Sequence, residues 1–220
     1  SFIYSFILLF TSFNSKANDT IEADYDTSLV NNYSMHEAVQ LPHLNPKKQT
    51  RWNHIISSPS NDHHYFASTN EGQLYLIDSA NQDKNTLLLD LSLAKHRGNT
   101  KPFTFNTFTL HPNFSLKEQS GYRTFYTAHT GSSDSKATTL KVQDKNAPRG
   151  MQFDAVITEW RLHSSSKTSV DLTSKREVAR IAVTNASDSI TQLSFHPYFK
   201  PWDDNFGLLY IGLAPTKSLN

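Results

Sequence analysis

Phe108-Thr-Leu-His-Pro-Asn-Phe114 and Leu193-Ser-Phe-His-Pro-Tyr-Phe199 are two versions of one pattern. Each is a strand-forming run stopped by His-Pro, since proline has no N–H to give to a ladder. Each leads, after a glycine, into a second such run: Thr124-Phe-Tyr-Thr127 in one case, Leu208-Leu-Tyr-Ile211 in the other. Pro59 ahead of Tyr65-Phe-Ala-Ser68 is a weaker third copy. Four short strands recurring about every 40–50 residues are the mark of a β-propeller blade. The expected fold is therefore all-β, a partial β-propeller of about three blades. The competing reading is a β-sandwich in which the His-Pro turns coincide by chance.

The segments around these copies read the same way. Strands are expected at His54–Ser57, His64–Thr69, Gln73–Asp78, Thr86–Leu91, Thr107–His111, Tyr122–Ala128, Phe153–Leu162, Glu177–Val183, Ile190–Phe195 and Gly207–Gly212. Asn70-Glu-Gly72 is a hairpin signal between two of them. The polar stretch 131–150 reads as a surface insertion. No segment carries a helical apolar stripe. Aromatic residues, 12% of the chain with 14 Phe, 9 Tyr and 3 Trp, suit strands.

Composition removes several function classes. Lys and Arg total 21 against 20 Asp and Glu, a net charge of +1, so no polybasic footprint for nucleic acid exists. The 7 glycines form no GxGxxG, P-loop or GxSxG, which excludes a phosphate-cradling loop and a nucleophile elbow. With 0 Cys there is no disulfide, thiolate metal site or cysteine nucleophile. Of the 10 His, none forms HExxH or His-x-His, and adjacent His63 and His64 would point to opposite faces of a strand.

The N-terminal segment is different. Phe2-Ile-Tyr-Ser-Phe-Ile-Leu-Leu-Phe10 is too short to span a bilayer but suits a secretory h-region, with Ser15-Lys-Ala17 as its cleavage site. Residues 1–17 are expected to be a signal peptide whose charged start lies upstream, and the mature chain to be periplasmic or secreted, without a membrane span. Without Lys16 the two signs of charge balance at 20 each. Residues 18–50 read as an irregular lead-in, and 51–220 as the propeller domain. Within the lead-in, Asp24-Tyr-Asp26 could ligate a hard cation, although a solvated loop explains it as well.

Three stretches resemble the glucose/sorbosone dehydrogenase family, β-propeller enzymes that oxidise sugars with pyrroloquinoline quinone (PQQ). The first is Arg51-Trp-Asn-His-Ile55 with Glu71-Gly-Gln-Leu-Tyr-Leu-Ile-Asp78. The second is Phe108–Phe114, then Phe125-Tyr-Thr-Ala-His-Thr130 with Val156-Ile-Thr-Glu-Trp160. The third is Gln192-Leu-Ser-Phe-His-Pro197 through Asp204-Asn-Phe-Gly-Leu-Leu-Tyr-Ile-Gly212. The resemblance runs with gaps from about residue 50 to 213 and implies the N-terminal half of a six-bladed fold. It implies PQQ and calcium as cofactors and a sugar as substrate. The family's general base, a His ahead of the Leu-x-Phe strand, falls on Asp188, and an acidic sugar contact falls on Ser187. A Gly-Asp turn falls on Leu213-Ala-Pro215, and a Gln falls near Pro102.

These departures touch the chemistry. Removing the anomeric hydroxyl proton as hydride leaves for the quinone suits a base titrating near the working pH. An aspartate with an ordinary pKa of about 3.9 is a weak base there, and Asp188 also reads as a turn residue between two strands. The fragment is therefore expected to be inactive alone. A non-enzymatic binding propeller, or a truncated product without function, is the alternative. Half a propeller also leaves blade edges open, so self-association is expected. The remaining polar groups have plain readings. His111 and His196 suit turns, Asp203-Asp204 beside Trp202 suits a loop more than a glycosidase pair, and Phe125, Tyr126 and Trp160 suit a core. The Asn-x-Ser/Thr sequons at Asn18, Asn32, Asn113 and Asn185 are expected by chance in an Asn/Ser-rich chain.

Overall fold

A computed structural model of the chain describes residues 39, 41–42, 50–61, 63–81, 84–91, 104–132, 140–142, 153–166, 168–183 and 189–214. The unit His43–Asn220 carries every strand found among the described residues. Strands β1 (Trp52–Ser57), β2 (His64–Thr69), β3 (Gln73–Asp78) and β4 (Thr86–Asp90) form an antiparallel meander in that order. The β2–β3 turn works because Gly72 takes φ +103, and its N–H returns to the Thr69 carbonyl at 3.2 Å. Among the described residues there is no α-helix, and none is long and apolar enough to cross a membrane.

The second sheet has the order β5-β6-β8-β9-β7, from β5 (Phe105–Leu110), β6 (Thr124–Ser132), β7 (Leu140–Val142), β8 (Phe153–Leu162) and β9 (Val170–Val183). Its four long strands repeat the meander of the first. The stretch read as an insertion contributes β7, which joins the outer edge parallel to β9, Leu140 opposite Ala179 and Val142 opposite Ile181. The third sheet pairs β10 (Ile190–Phe195) with β11 (Leu209–Leu213). The described chain thus builds two four-stranded antiparallel blades and the first pair of a third, an all-β, partial-propeller arrangement without a closed barrel.

The leading strands β1, β5 and β10 are successive neighbours. Each carries the same irregularity at its entrance. One extra residue interrupts the register: Asn53 between Trp52 and His54, Asn106 between Phe105 and Thr107, Thr191 between Ile190 and Gln192. Such bulges add twist, and here they recur sheet by sheet. Asn53 also stitches the first bulge to the second. Its Nδ2 donates to the carbonyls of Phe105 at 2.8 Å and Asn106 at 3.1 Å, while its Oδ1 accepts the Ser68 hydroxyl at 2.6 Å.

Two apolar seams hold the sheets together. The first joins Phe66, Leu74 and Leu89 of sheet one to Phe108, Phe125 and Trp160 of sheet two. The second joins Ala128, Ile157 and Ala179 of sheet two to Ile190 and Leu193 of sheet three. Sheet two is therefore covered on both faces, which explains why β8 is buried along most of its length without alternation. Each large apolar side chain so buried contributes about 1.5–3 kcal/mol. The Trp160 indole N–H is not left unpaired; it donates to the Thr127 hydroxyl at 2.9 Å.

Strand limits differ from the sequence reading where polar or left-handed residues intervene. β6 begins at Thr124 and not Tyr122, because Gly121 (φ +90) and Arg123 (φ +56) turn the chain first. β9 begins at Val170, ahead of the expected Glu177. Its first half is Asp171-Leu-Thr-Ser-Lys-Arg176, a largely solvated stretch with no apolar periodicity to announce it.

Candidate functional site

The two His-Pro corners are built alike. At the exit of β5, the Nδ1 of His111 accepts the backbone amide of Asn113 at 3.0 Å, and the His111 carbonyl accepts the amide of Phe114 at 2.8 Å. At the exit of β10, the Nδ1 of His196 accepts the amide of Tyr198 at 3.3 Å. An imidazole that accepts at Nδ1 carries its proton on Nε2 when neutral. Burial lowers the His111 pKa, against an opposing pull from Glu159.

The remaining hydrogen bonds fix each loop. Asn113 is buried, and its Nδ2 donates to the Ser120 carbonyl at 2.9 Å, so the amide of this sequon is turned into the loop. Asp203 Oδ2 accepts the Lys200 amide at 2.6 Å, which makes this residue a loop carboxylate, as its sequence context suggests. Gly121 and Gly207 both hold positive φ, at +90 and +78.

The corners part company at their last aromatic residue. Phe114 is 3% exposed and meets Phe66 of the first sheet edge to face, ring centroids 5.5 Å apart. Phe199 instead stacks on its own His196 at 3.9 Å and stays half-buried. Between the corners a cleft of about 440 Å³ remains, with Leu110, Leu116, Phe195, Phe199 and Phe206 among its walls. Its polar groups are Thr109, Asn113, Ser194 and His196; among the described residues no Asp, Glu, Lys or Arg lines it. Behind it, Phe195 packs 5.5 Å from both His111 and Tyr126.

Charged groups cluster elsewhere in sheet two. Tyr126 donates to Glu159 at 2.9 Å, and Arg176 grips the same carboxylate at 3.2 and 2.7 Å. Burial works to raise the Glu159 pKa, but the Arg176 and Tyr126 hydrogen bonds outweigh it and hold the carboxyl below its usual range. Burial and the Glu159 bond push the Tyr126 phenol up. Arg180 donates in a fork to Glu177 at 2.6 and 2.9 Å, and to fully buried Asp154 at 3.2 Å. Burial, with the charges of Lys175 and Arg180 adding to it, pulls His129 down to about 3. The sequence signal for these pairs is a lone charge inside an apolar run, as in Phe153-Asp-Ala-Val-Ile157.

Asp188 and Ser187 lie outside the described residues, as do residues 1–17, Asp24, Asp26, Pro102 and Pro215. Ser189, the next residue after Asp188, is buried at the entrance of β10, and its carbonyl accepts the Ala214 amide at 3.0 Å. Ser189 thus marks one end of β10, and the cleft lies at the other. His64 sits 3.8 Å from Asp78, and among the described residues no three His, Cys, Asp or Glu come together to hold a metal. The guanidinium of Arg123 is taken by the carbonyls of His163 and Ser164, at 2.6 and 2.8 Å. Arg176 and Arg180 are likewise held, the first by Glu159 and the second by Glu177 and Asp154. No family model matches the sequence, and no curated protein matches it.

Proposed function

We propose that this chain supplies the leading blades of an exported propeller similar to the PQQ-dependent sugar dehydrogenases, and that these blades alone do not oxidise sugar. The observation that supports this most is the succession of β1, β5 and β10, each bulged at its entrance and two of them ending in a His-Pro corner. In this reading sugar would be met at the entrance ends, beside Asp188, and residues 1–17 would direct the chain to the periplasm or outside. Self-association is part of the proposal. Tyr198 at 80%, Trp202 at 79% and Leu213 at 52% exposure put apolar surface on the incomplete third sheet.

The test mixes the 220-residue chain with PQQ, calcium, an aldose and an artificial electron acceptor. No turnover is expected. Dye reduction that needs both PQQ and the chain, and is lost in Asp188→Asn, would overturn the inactivity and assign the base to Asp188. A genomic frame continuing past Asn220 with Arg/Lys and calcium-ligand loops supports the dehydrogenase kinship. A second reading, a non-enzymatic binding propeller, is favoured by the uncharged cleft between the corners.

A further inference from the structure

The two corners give the molecule an internal comparison. The same His-Pro pattern closes both seams, yet one aromatic side chain seals its seam and the other does not. Phe114 reaches into the first seam and meets Phe66 edge to face. Phe199 stacks on His196 instead, and the cleft of about 440 Å³ opens beside it. That volume is within the range of small-molecule sites, which are mostly apolar with a few placed polar groups.

We propose that this cleft binds a small uncharged aromatic molecule, one ring taking the place against sheet two that Phe114 takes against sheet one. Three features select this class. The walls offer aromatic and proline surface from Pro112, Phe195, Pro197 and Phe206, suited to edge-to-face and offset contacts. Among the described residues no side chain of Asp, Glu, Lys or Arg lines the cleft, so a charged ligand would lose its hydration there without a counter-charge from them. The polar groups then orient the ring. His196 accepts at Nδ1 from Tyr198 and so presents a donor at Nε2, with the hydroxyls of Thr109 and Ser194 alongside. A phenolic or carbonyl oxygen on the ring system satisfies that donor. The cleft sits at the exits of β5 and β10, so this inference stands apart from the proposed sugar chemistry at their entrances.

The probe is 2-naphthol, titrated into the full chain and followed by calorimetry and by backbone amide shifts. Saturable binding at one site is expected, with a dissociation constant on the order of 0.1 mM. The shifts should centre on residues 109–116 and 194–199 and on Phe206. Ser194→Phe, which fills the cleft, should weaken binding at least tenfold while the circular dichroism stays that of the parent. If Ser194→Phe does not fold, the shift map of the parent chain decides. The carboxylate analogue 2-naphthoate should bind at least tenfold more weakly. Absence of saturable binding would overturn the proposal, as would naphthoate binding as tightly as naphthol. So would shifts centred on exposed Trp202 and Tyr210, or glucose moving the corner amides where naphthol does not.

Discussion

Gly121 stands so close to His111 that a β-carbon on it would lie 1.9 Å from the imidazole Nδ1. That nitrogen is the one that accepts the Asn113 amide, so the glycine and the cap occupy one place. Gly121→Ala must expel the ring and also strain a φ of +90. A loss of about 2–4 kcal/mol is expected in urea denaturation. Gly207→Ala faces only its φ of +78, with nothing within 4 Å, and should cost about 1–2 kcal/mol. Equal losses at the two glycines would mean that the ring contact carries no energy.

The two histidine caps should differ in the same direction. His111→Phe leaves the amide of buried Asn113 without its acceptor and should cost about 1–3 kcal/mol. His196→Phe, at an exposed corner, lets water replace the cap and should cost under about 1 kcal/mol. Chemical denaturation of both variants checks the order.

Thr127→Val keeps the shape beside Trp160 but strands its indole N–H inside the first seam. A destabilisation of about 1–3 kcal/mol is expected. Adding Trp160→Phe should cost less than the sum of the single changes, because the stranded donor is gone. Strict additivity in that cycle would show that the 2.9 Å contact contributes nothing.

Arg180→Met removes the cation beside fully buried Asp154 and should destabilise by about 3–5 kcal/mol. Arg176→Met removes a partner of Glu159 at a side chain 62% exposed, and should cost under about 1 kcal/mol. Thermal melts of the two variants at one pH give the comparison.

Acid should weaken the fold through its histidines. Burial lowers the pKa of His54, His111 and His129, the last to about 3. The unfolded chain takes up these protons near pH 6.5, while the folded chain refuses them. The stability is therefore complete above pH 6.5 and is lost as pH falls, for His129 over the span from 6.5 to about 3. The slope is about 1.4 kcal/mol per pH unit for each such proton. His129→Gln should flatten the curve between pH 6 and about 4; an unchanged curve would remove His129 from the account.

Much of the fold was legible because apolar runs and turn residues write it directly. β2 and β3 have the limits that His64–Thr69 and Gln73–Asp78 suggest, since Gly72 punctuates them. The corners were legible too, because His-Pro both stops a strand and supplies a cap. The bulges were not: Asn53, Asn106 and Thr191 are polar types found all along the chain, and only the pairing across the ladder shows that each is one too many. The cleft was equally hidden. Phe114 and Phe199 occupy matching places in the pattern, and only packing decides that one ring turns inward and the other onto its own histidine.

Those three bulges make each sheet begin at the same geometric mark. A stretch running from Asn53 to Phe105 or from Asn106 to Ile190 is thus a cassette with standard ends, whatever its side chains and however long its excursions. A chain that lost or gained one such stretch would still offer a bulged leading strand at each junction. The neighbouring sheets then meet a familiar joint, and the excursion that carries β7 shows how much new sequence a cassette can hold at its rim.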